Sequence, residues 1–185
     1  MPRLSPAKAP EVLVSQRLLL RRPRASDAMA IFVRYASDPE VTRYLSWPRH
    51  RSVADTRRFL AWSRKQWLRW PCGPYLVFGR RGEELLGGTG LTFESENEAS
   101  TGYVLARDAW GFGYATEALE VMIDLASWLG LVRLLAFCHP DHKASQRVLE
   151  KCGFACEGRL EGRCEFPNLS PGKSTDVLAY CRPLR

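Results

Sequence analysis

The run Trp110-Gly111-Phe112-Gly113-Tyr114-Ala115-Thr116 constrains the fold of this chain more than any other stretch, because it stands directly between a strand and a helix. Glycines at 111 and 113 let the backbone turn tightly and remove side chains that would block a ligand. The amides of such a turn point outward at a helix N-terminus, where free N–H groups and the helix dipole favour an anion. A pyrophosphate is the natural guest. The strand just before it, Tyr103-Val104-Leu105, offers edge amides and carbonyls that could pair with an extended amide chain such as pantetheine. Taken alone, Gly-x-Gly before a helix also fits a plain turn. Two other nucleotide loops are excluded: no Gly-x-x-x-x-Gly-Lys-Ser/Thr run exists, and Thr116 occupies the last glycine position of a dinucleotide fingerprint.

The rest of the chain reads as alternating strands and helices. Gln16–Pro23 predicts a first strand, and Ser26 and Asp27 open a helix whose apolar residues Ala28, Ile31, Phe32 and Tyr35 share one face. A second helix starts at Ser52, capped by Asp55 three residues on, and stops before Pro71. Strands are expected at Tyr75–Arg80 and Glu84–Phe93, joined by a tight Arg81-Gly82-Glu83 turn, and at Thr101–Leu105 after a polar loop, Glu94–Ser100. Gly113–Gly130 is helical, with Glu117, Glu120, Asp124 and Ser127 as a narrow wet stripe. Val132–Cys138 reads as a strand covered on both faces. A short helix, Lys143–Cys152, ends at Gly153 with Phe154 as the hydrophobic contact of a left-handed stop. Two last strands, Ala155–Phe166 and Asp176–Arg182, complete an α/β (α+β) chain: a mixed, mostly antiparallel sheet of about seven strands with about four helices.

Nothing in this order divides the chain, so the 185 residues are expected to form a single domain, with residues 1–14 as a loose N-terminal arm. No apolar run approaches the roughly 20 residues that span a bilayer, and the N-terminus lacks the apolar core of a secretory signal. The expected setting is the cytoplasm, and the six cysteines are read as free, buried thiols; their spacing gives no closed zinc site, and no metal is expected. The net charge is +7. Its densest groups are Arg17, Arg21, Arg22 and Arg24, then Arg49, Arg51, Arg57 and Arg58. They fit a solvated basic face, attraction for an anionic cofactor, or an acidic partner.

The segment from His139 to Phe154, His-Pro-Asp-His-Lys-Ala-Ser-Gln-Arg-Val-Leu-Glu-Lys-Cys-Gly-Phe, sets polar groups at the end of a strand, followed by a helix with Ala144, Val148, Leu149 and Cys152 on its apolar face. A well-capped packing helix would look the same. Together, however, Trp110–Ala118 and Ala144–Phe154 resemble the coenzyme A loop and the second motif of the GNAT superfamily, in its RimJ/RimL branch of N-acetyltransferases. Gln16–Arg21 and Gly102–Leu105 are similar to that branch as well, so that the resemblance runs roughly from residue 15 to residue 182.

The resemblance implies the GNAT fold, its sheet splayed into a V between the fourth and fifth strands, with acetyl-CoA as co-substrate in the wedge. The backbone of Val104 and Leu105 would hold pantetheine. The loop Trp110, Gly111, Phe112, Gly113, Tyr114, Ala115 and Thr116 would hold the pyrophosphate, and Ser145 would face the cofactor. His142 stands where the branch usually has Asn, and its imidazole can still donate or accept a hydrogen bond. Direct transfer within a ternary complex is expected over a cysteine acyl-enzyme. Leu149 replaces the tyrosine that many relatives use to protonate the thiolate, leaving Ser145 as the candidate hydroxyl. Candidate bases are Glu94, Glu96 or Glu98, and His142. Trp47, Trp62, Trp67 and Trp70 on the two early helices, with the Phe166–Asp176 loop, would line the acceptor side. The acceptor expected from the resemblance is a protein or peptide α-amine, with a small-molecule amine as the alternative. A homodimer is compatible with it. A non-catalytic RNA- or ribosome-binding module is the rival of another class, one that the intact glycine loop speaks against.

Overall fold

Why this chain makes a sheet that opens in its middle follows from how its strands pair. The structure, a computed structural model, describes residues 8–80 and 84–184; the predicted Arg81-Gly82-Glu83 turn and residues 1–7 of the predicted arm lie outside them. The strands are β1 (Val12–Val14), β2 (Leu18–Arg21), β3 (Tyr75–Gly79), β4 (Leu85–Phe93), β5 (Glu98–Leu105), β6 (Arg133–Cys138), β7 (Ala155–Glu165) and β8 (Ser174–Pro183). They form one sheet in the order β1-β2-β3-β4-β5-β6-β8-β7. Every pairing is antiparallel except β5 with β6. That parallel pair holds over only three positions, from Glu98↔Arg133 to Ser100↔Leu135. Beyond them β5 stays laddered to β4 as far as Leu105, while β6 stays laddered to β8 as far as Cys138. The two halves of the sheet therefore part between Thr101–Leu105 and Ala136–Cys138, which is the expected V.

Five α-helices flank the sheet: α1 (Ala28–Ile31), which runs into a π-helical turn at Phe32–Ala36, α2 (Pro39–Thr42), α3 (Val53–Arg69), α4 (Tyr114–Trp128) and α5 (Lys143–Lys151). The helix missed in the sequence is α2, a single turn with Pro39 in its first turn, capped by Asp38, whose Oδ1 accepts from Glu40 N at 2.8 Å. The strand missed is β1. It lies inside the segment expected to be a loose arm, yet Val12–Val14 pairs with β2, and Ala9 is buried and donates to Pro71 O. The charges around α3 read correctly: Ser52 N donates to Asp55 Oδ2 at 2.9 Å, closing the predicted capping box. The glycine stop of α5 is also present, with Gly153 at φ +75° and Phe154 buried, its N–H reaching Leu149 O.

Period two along β3 sets the layers: Val77 packs beneath α4 and α5 with Leu119, Met122 and Leu149, while its neighbour Leu76 packs beneath α1 and α3 with Ile31, Tyr35 and Leu60. The wet stripe of α4 is real at Glu120 and Asp124, which are exposed, whereas Glu117 is half-buried for a reason given below. A burial expectation fails at β6. β6 was predicted to be covered on both faces, but Phe137 is 40% exposed. The parting of β5 from β6 removes the neighbour that would have covered it. No helix among the described residues is long and apolar enough to cross a membrane.

Candidate active site

The glycine loop takes the form its composition demands. Gly111 has φ +82° and Gly113 φ +79°, a left-handed conformation that costs other residues about 1–2 kcal/mol. Gly113 is the residue from which α4 starts, and Glu117 N is the first helix amide to find a partner, Gly113 O. Among the described residues, the amides from Gly111 to Thr116 have no hydrogen-bond acceptor, so they form an anion cradle at a helix N-terminus. Arg17, from the turn before β2, braces this cradle. Its Nη1 donates to Phe112 O at 2.8 Å and its Nε to Glu117 Oε2 at 2.7 Å. Glu117 also accepts from Arg17 N and Ser15 Oγ, both at 2.7 Å. Burial alone would raise the Glu117 carboxyl, but the hydrogen bonds from Ser15 and Arg17 outweigh it and hold the group below its ordinary value. The carboxylate is thus consumed by the brace and does not repel an anion at the loop.

Where β5 and β6 part, a cleft of about 1040 Å³ opens. Its walls come from β3, β4, β5, β6, α3, α5, the π-turn, the α2–α3 segment and the end of β7. Gly102 is exposed in it, and a Cβ at that position would meet nothing within 4 Å. At its centre Tyr103 Oη and Ser145 Oγ lie 3.0 Å apart. Burial pushes the Tyr103 phenol up, and the Ser145 hydrogen bond offsets this only in part, so the phenol keeps its proton at neutral pH. His142, one turn before Ser145, stacks on Tyr44 with ring centroids 4.7 Å apart. Burial, helped by the neighbouring His139, lowers the His142 imidazole below its ordinary value and leaves it neutral at pH 7, able to accept a proton.

Several predicted residues therefore meet: Val104, His142 and Ser145 all line the cleft. Others do not. Leu105 is buried outside it, and its carbonyl accepts from Trp110 Nε1 at 2.9 Å. Glu96 is exposed in the turn between β4 and β5 and lines no part of the cleft. Of its neighbours, Glu94 accepts from Ser100 Oγ, and Glu98 is not in a loop at all: it begins β5 and pairs with Arg133 at 2.9 Å. The tryptophans divide as well. Trp47 and Trp62 line the cleft, whereas Trp67 is a core residue bonded to Pro74 O and Trp70 stacks on Phe93. Tyr103 was read only as strand backbone. Alternation along β5 would have placed its side chain opposite Gly102 and Val104, but only the tertiary fold brings it to α5. All six cysteines are free; Cys156 is exposed and Cys164 half-buried, against the expectation of burial. Of the two that line the cleft, burial pushes Cys138 up to about 11 and raises Cys164, so neither is an activated thiolate.

Comparison with known proteins bears on this geometry. The family model described as an acetyltransferase (GNAT) domain matches residues 17–155. Over 180 residues, 93% of this chain and 97% of the relative, the sequence is 32% identical to the uncharacterized N-acetyltransferase YoaA of Bacillus subtilis (strain 168). It is 31% identical over 153 residues, 81% of this chain and 85% of the relative, to the uncharacterized N-acetyltransferase p20 of Bacillus licheniformis. The fold is shared with a solved structure of RimL, a ribosomal L7/L12 alpha-N-protein acetyltransferase in complex with coenzyme A, at a TM-score of 0.82 and 23% identity, covering 94% of this chain and 98% of that one.

Proposed function

The chain belongs to the GNAT acetyltransferase family, and from that premise we propose that it carries acetyl from acetyl-CoA to the α-amine of a polypeptide, as one domain over residues 1–185. The observation that carries this reading is the joint presence of an anion cradle at Gly111–Thr116 and a cleft, opened by the parting of β5 and β6, with a hydroxyl pair and a neutral imidazole inside it. The cradle suits the pyrophosphate of coenzyme A, and the uncoupled stretch of β5 suits its extended amide arm. The acceptor enters on the other side, between the π-turn, the α2–α3 segment and the end of β7.

In this scheme His142 takes a proton from the acceptor as the amine nitrogen bonds to the thioester carbonyl carbon. The C–S bond of the tetrahedral species would then break, the departing sulfur taking a proton from Ser145 Oγ, which recovers one from Tyr103 Oη at 3.0 Å; the phenol regains a proton from solvent and the His142 imidazolium releases its own, so both groups return to their starting states. Each group is in the state its role requires: the imidazole is lowered and neutral, the phenol raised and protonated. Neutral amine, acetyl donor and proton path meet in one cleft, so no cysteine need be acylated. The likeness to RimL, named as an alpha-N-protein acetyltransferase, supports an N-terminal acceptor.

The test is to incubate the protein with acetyl-CoA and two versions of one peptide that contains a lysine, one with a free α-amine and one with that amine blocked. The free peptide should gain one acetyl group on its α-nitrogen, located by fragment masses, and the blocked peptide should gain none. Acetylation of the lysine in both would contradict the α-amine reading.

A further inference from the structure

The two dense arginine groups of the sequence are used differently in the fold: all of the first but Arg24 are ion-paired among the described residues, and all of the second but Arg57 line the cleft. In the first, Arg17 is paired to Glu117, Arg21 to Asp27 and Arg22 to Glu11. In the second, Arg49, Arg51 and Arg58 line the cleft, joined across it by Arg163 from β7. Arg49, Arg51 and Arg163 enter no ion pair among the described residues. Against these four arginines the lining residues include one carboxylate, Asp55. It is already engaged: it accepts from Arg51 N at 2.8 Å and Ser52 N at 2.9 Å to cap α3, and Arg58 is bonded to it.

The segment that presents these arginines is built, not loose. Asn168, from the loop after β7, donates to Thr42 O at 2.7 Å and to Trp47 O at 2.9 Å, and its Oδ1 accepts from Arg49 N at 2.8 Å. His50 N donates to Ala36 O at 2.9 Å, and its Nδ1 is 2.9 Å from the fully buried Thr56 Oγ1. Burial lowers the His50 imidazole, with Asp55 opposing and Arg58 adding to the effect, so the ring adds no positive charge at pH 7. The positive potential at this end of the cleft comes from exposed arginine side chains, of which Arg49 and Arg51 stand on a backbone segment pinned by Asn168 and Ala36. They belong to the α2–α3 segment, to α3 and to β7, and none of Gly111–Thr116 lines the cleft with them.

We propose that this end of the cleft selects acceptors whose amine sits close to carboxylates: an acidic chain end, with Asp or Glu at the residues following the α-amine. This rests on the reading of that end as the acceptor site. A low-dielectric cleft lined by one sign of charge concentrates ligands of the opposite sign and rejects its own. Arginine also suits carboxylates, which it grips with two parallel N–H groups. Polyamines and polycationic small molecules are thereby excluded as acceptors, which separates this protein from an enzyme of that class.

The experiment compares three peptides that begin Ser-Glu-Glu, Ser-Gln-Gln and Ser-Lys-Lys and are otherwise identical, together with free glutamate and spermidine. Turnover is followed by thiol release from acetyl-CoA, and binding by quenching of Trp47 and Trp62 fluorescence. The acidic peptide should exceed the basic one by about tenfold or more in kcat/KM. The gap should close as salt shortens the screening length to about 3 Å near 1 M. In an Arg51→Glu/Arg163→Glu protein the order should reverse, with the acetyl-CoA affinity unchanged. If no peptide is acetylated yet glutamate is bound and acetylated in preference to spermidine, selection by charge stands and the polypeptide acceptor proposed above falls. If acidic and basic ligands bind and react equally, or the basic ones better, the inference is overturned.

Discussion

A Gly113→Val protein is expected to lose most of the thermal stabilisation that saturating acetyl-CoA gives to the parent. A ligand that binds only the folded state, at 100 times its dissociation constant, contributes about 2.7 kcal/mol. For a chain of this size that is a rise of roughly 5–10 °C in melting temperature. Gly113 sits at φ +79° at the head of α4, where valine is strained and its Cβ would come 3.5 Å from Nη2 of Arg17, the residue that braces the cradle. The strain costs about 1–2 kcal/mol, so the ligand-free variant should melt a few degrees lower and still unfold cooperatively. Gly102→Leu provides the contrast. A Cβ there meets nothing within 4 Å, and leucine is no burden to a strand; this protein should fold as the parent does. Its side chain would lie on the face of β5 that carries Val104 toward the early helices, so it should keep the acetyl-CoA shift and lose acceptor turnover. Retention of the full acetyl-CoA shift in Gly113→Val would place the cofactor elsewhere.

The second large effect concerns the hydroxyl pair. Tyr103→Phe and Ser145→Ala should each lower kcat about 100-fold, the low end of what a positioned proton donor supplies, with little change in acetyl-CoA affinity. Phenylalanine keeps the ring that packs against the core beside α5 and removes only the group that meets Ser145 Oγ at 3.0 Å. The two side chains would act as one path, so the double variant should be no slower than the slower single variant. Rates that multiply in the double variant would mean two independent roles. A Tyr103→Phe protein with normal kcat would remove the phenol from the path and leave Ser145 alone.

Local signals carried the reading of this sequence far. The glycine loop was legible because its chemistry is in the backbone: two positive φ angles before a helix need glycine whatever surrounds them. The capping box at Ser52 and the glycine stop at Gly153 were legible for the same reason. β1 was not, because a three-residue strand inside a Pro-rich, basic segment is held by its pairing with β2 and by the bond from Ala9 to Pro71, neither of which is local. Phe137 looked buried because a run of apolar residues cannot announce that its neighbouring strand will turn away. The candidate site divided along the same line. His142 and Ser145 lie within one motif and came together. Asn168 and Arg163 join the site from distant parts of the chain, and nothing near them in sequence marks them; Tyr103 lies in a strand the sequence did mark, but for its backbone rather than its side chain. Glu96 was chosen by type and rough position, and the fold leaves it on an exposed turn.

The central claim is that the parting of β5 from β6 makes one cleft for both the thioester and the amine. The most direct measurement is the crystal structure of the protein grown with coenzyme A. The account predicts the pyrophosphate on the amides of Gly111–Thr116, the pantetheine arm along the free edge of β5, and the sulfur within about 3.5 Å of Ser145 Oγ. Coenzyme A bound outside the gap between β5 and β6, or with its sulfur directed away from Tyr103 and Ser145, would contradict it.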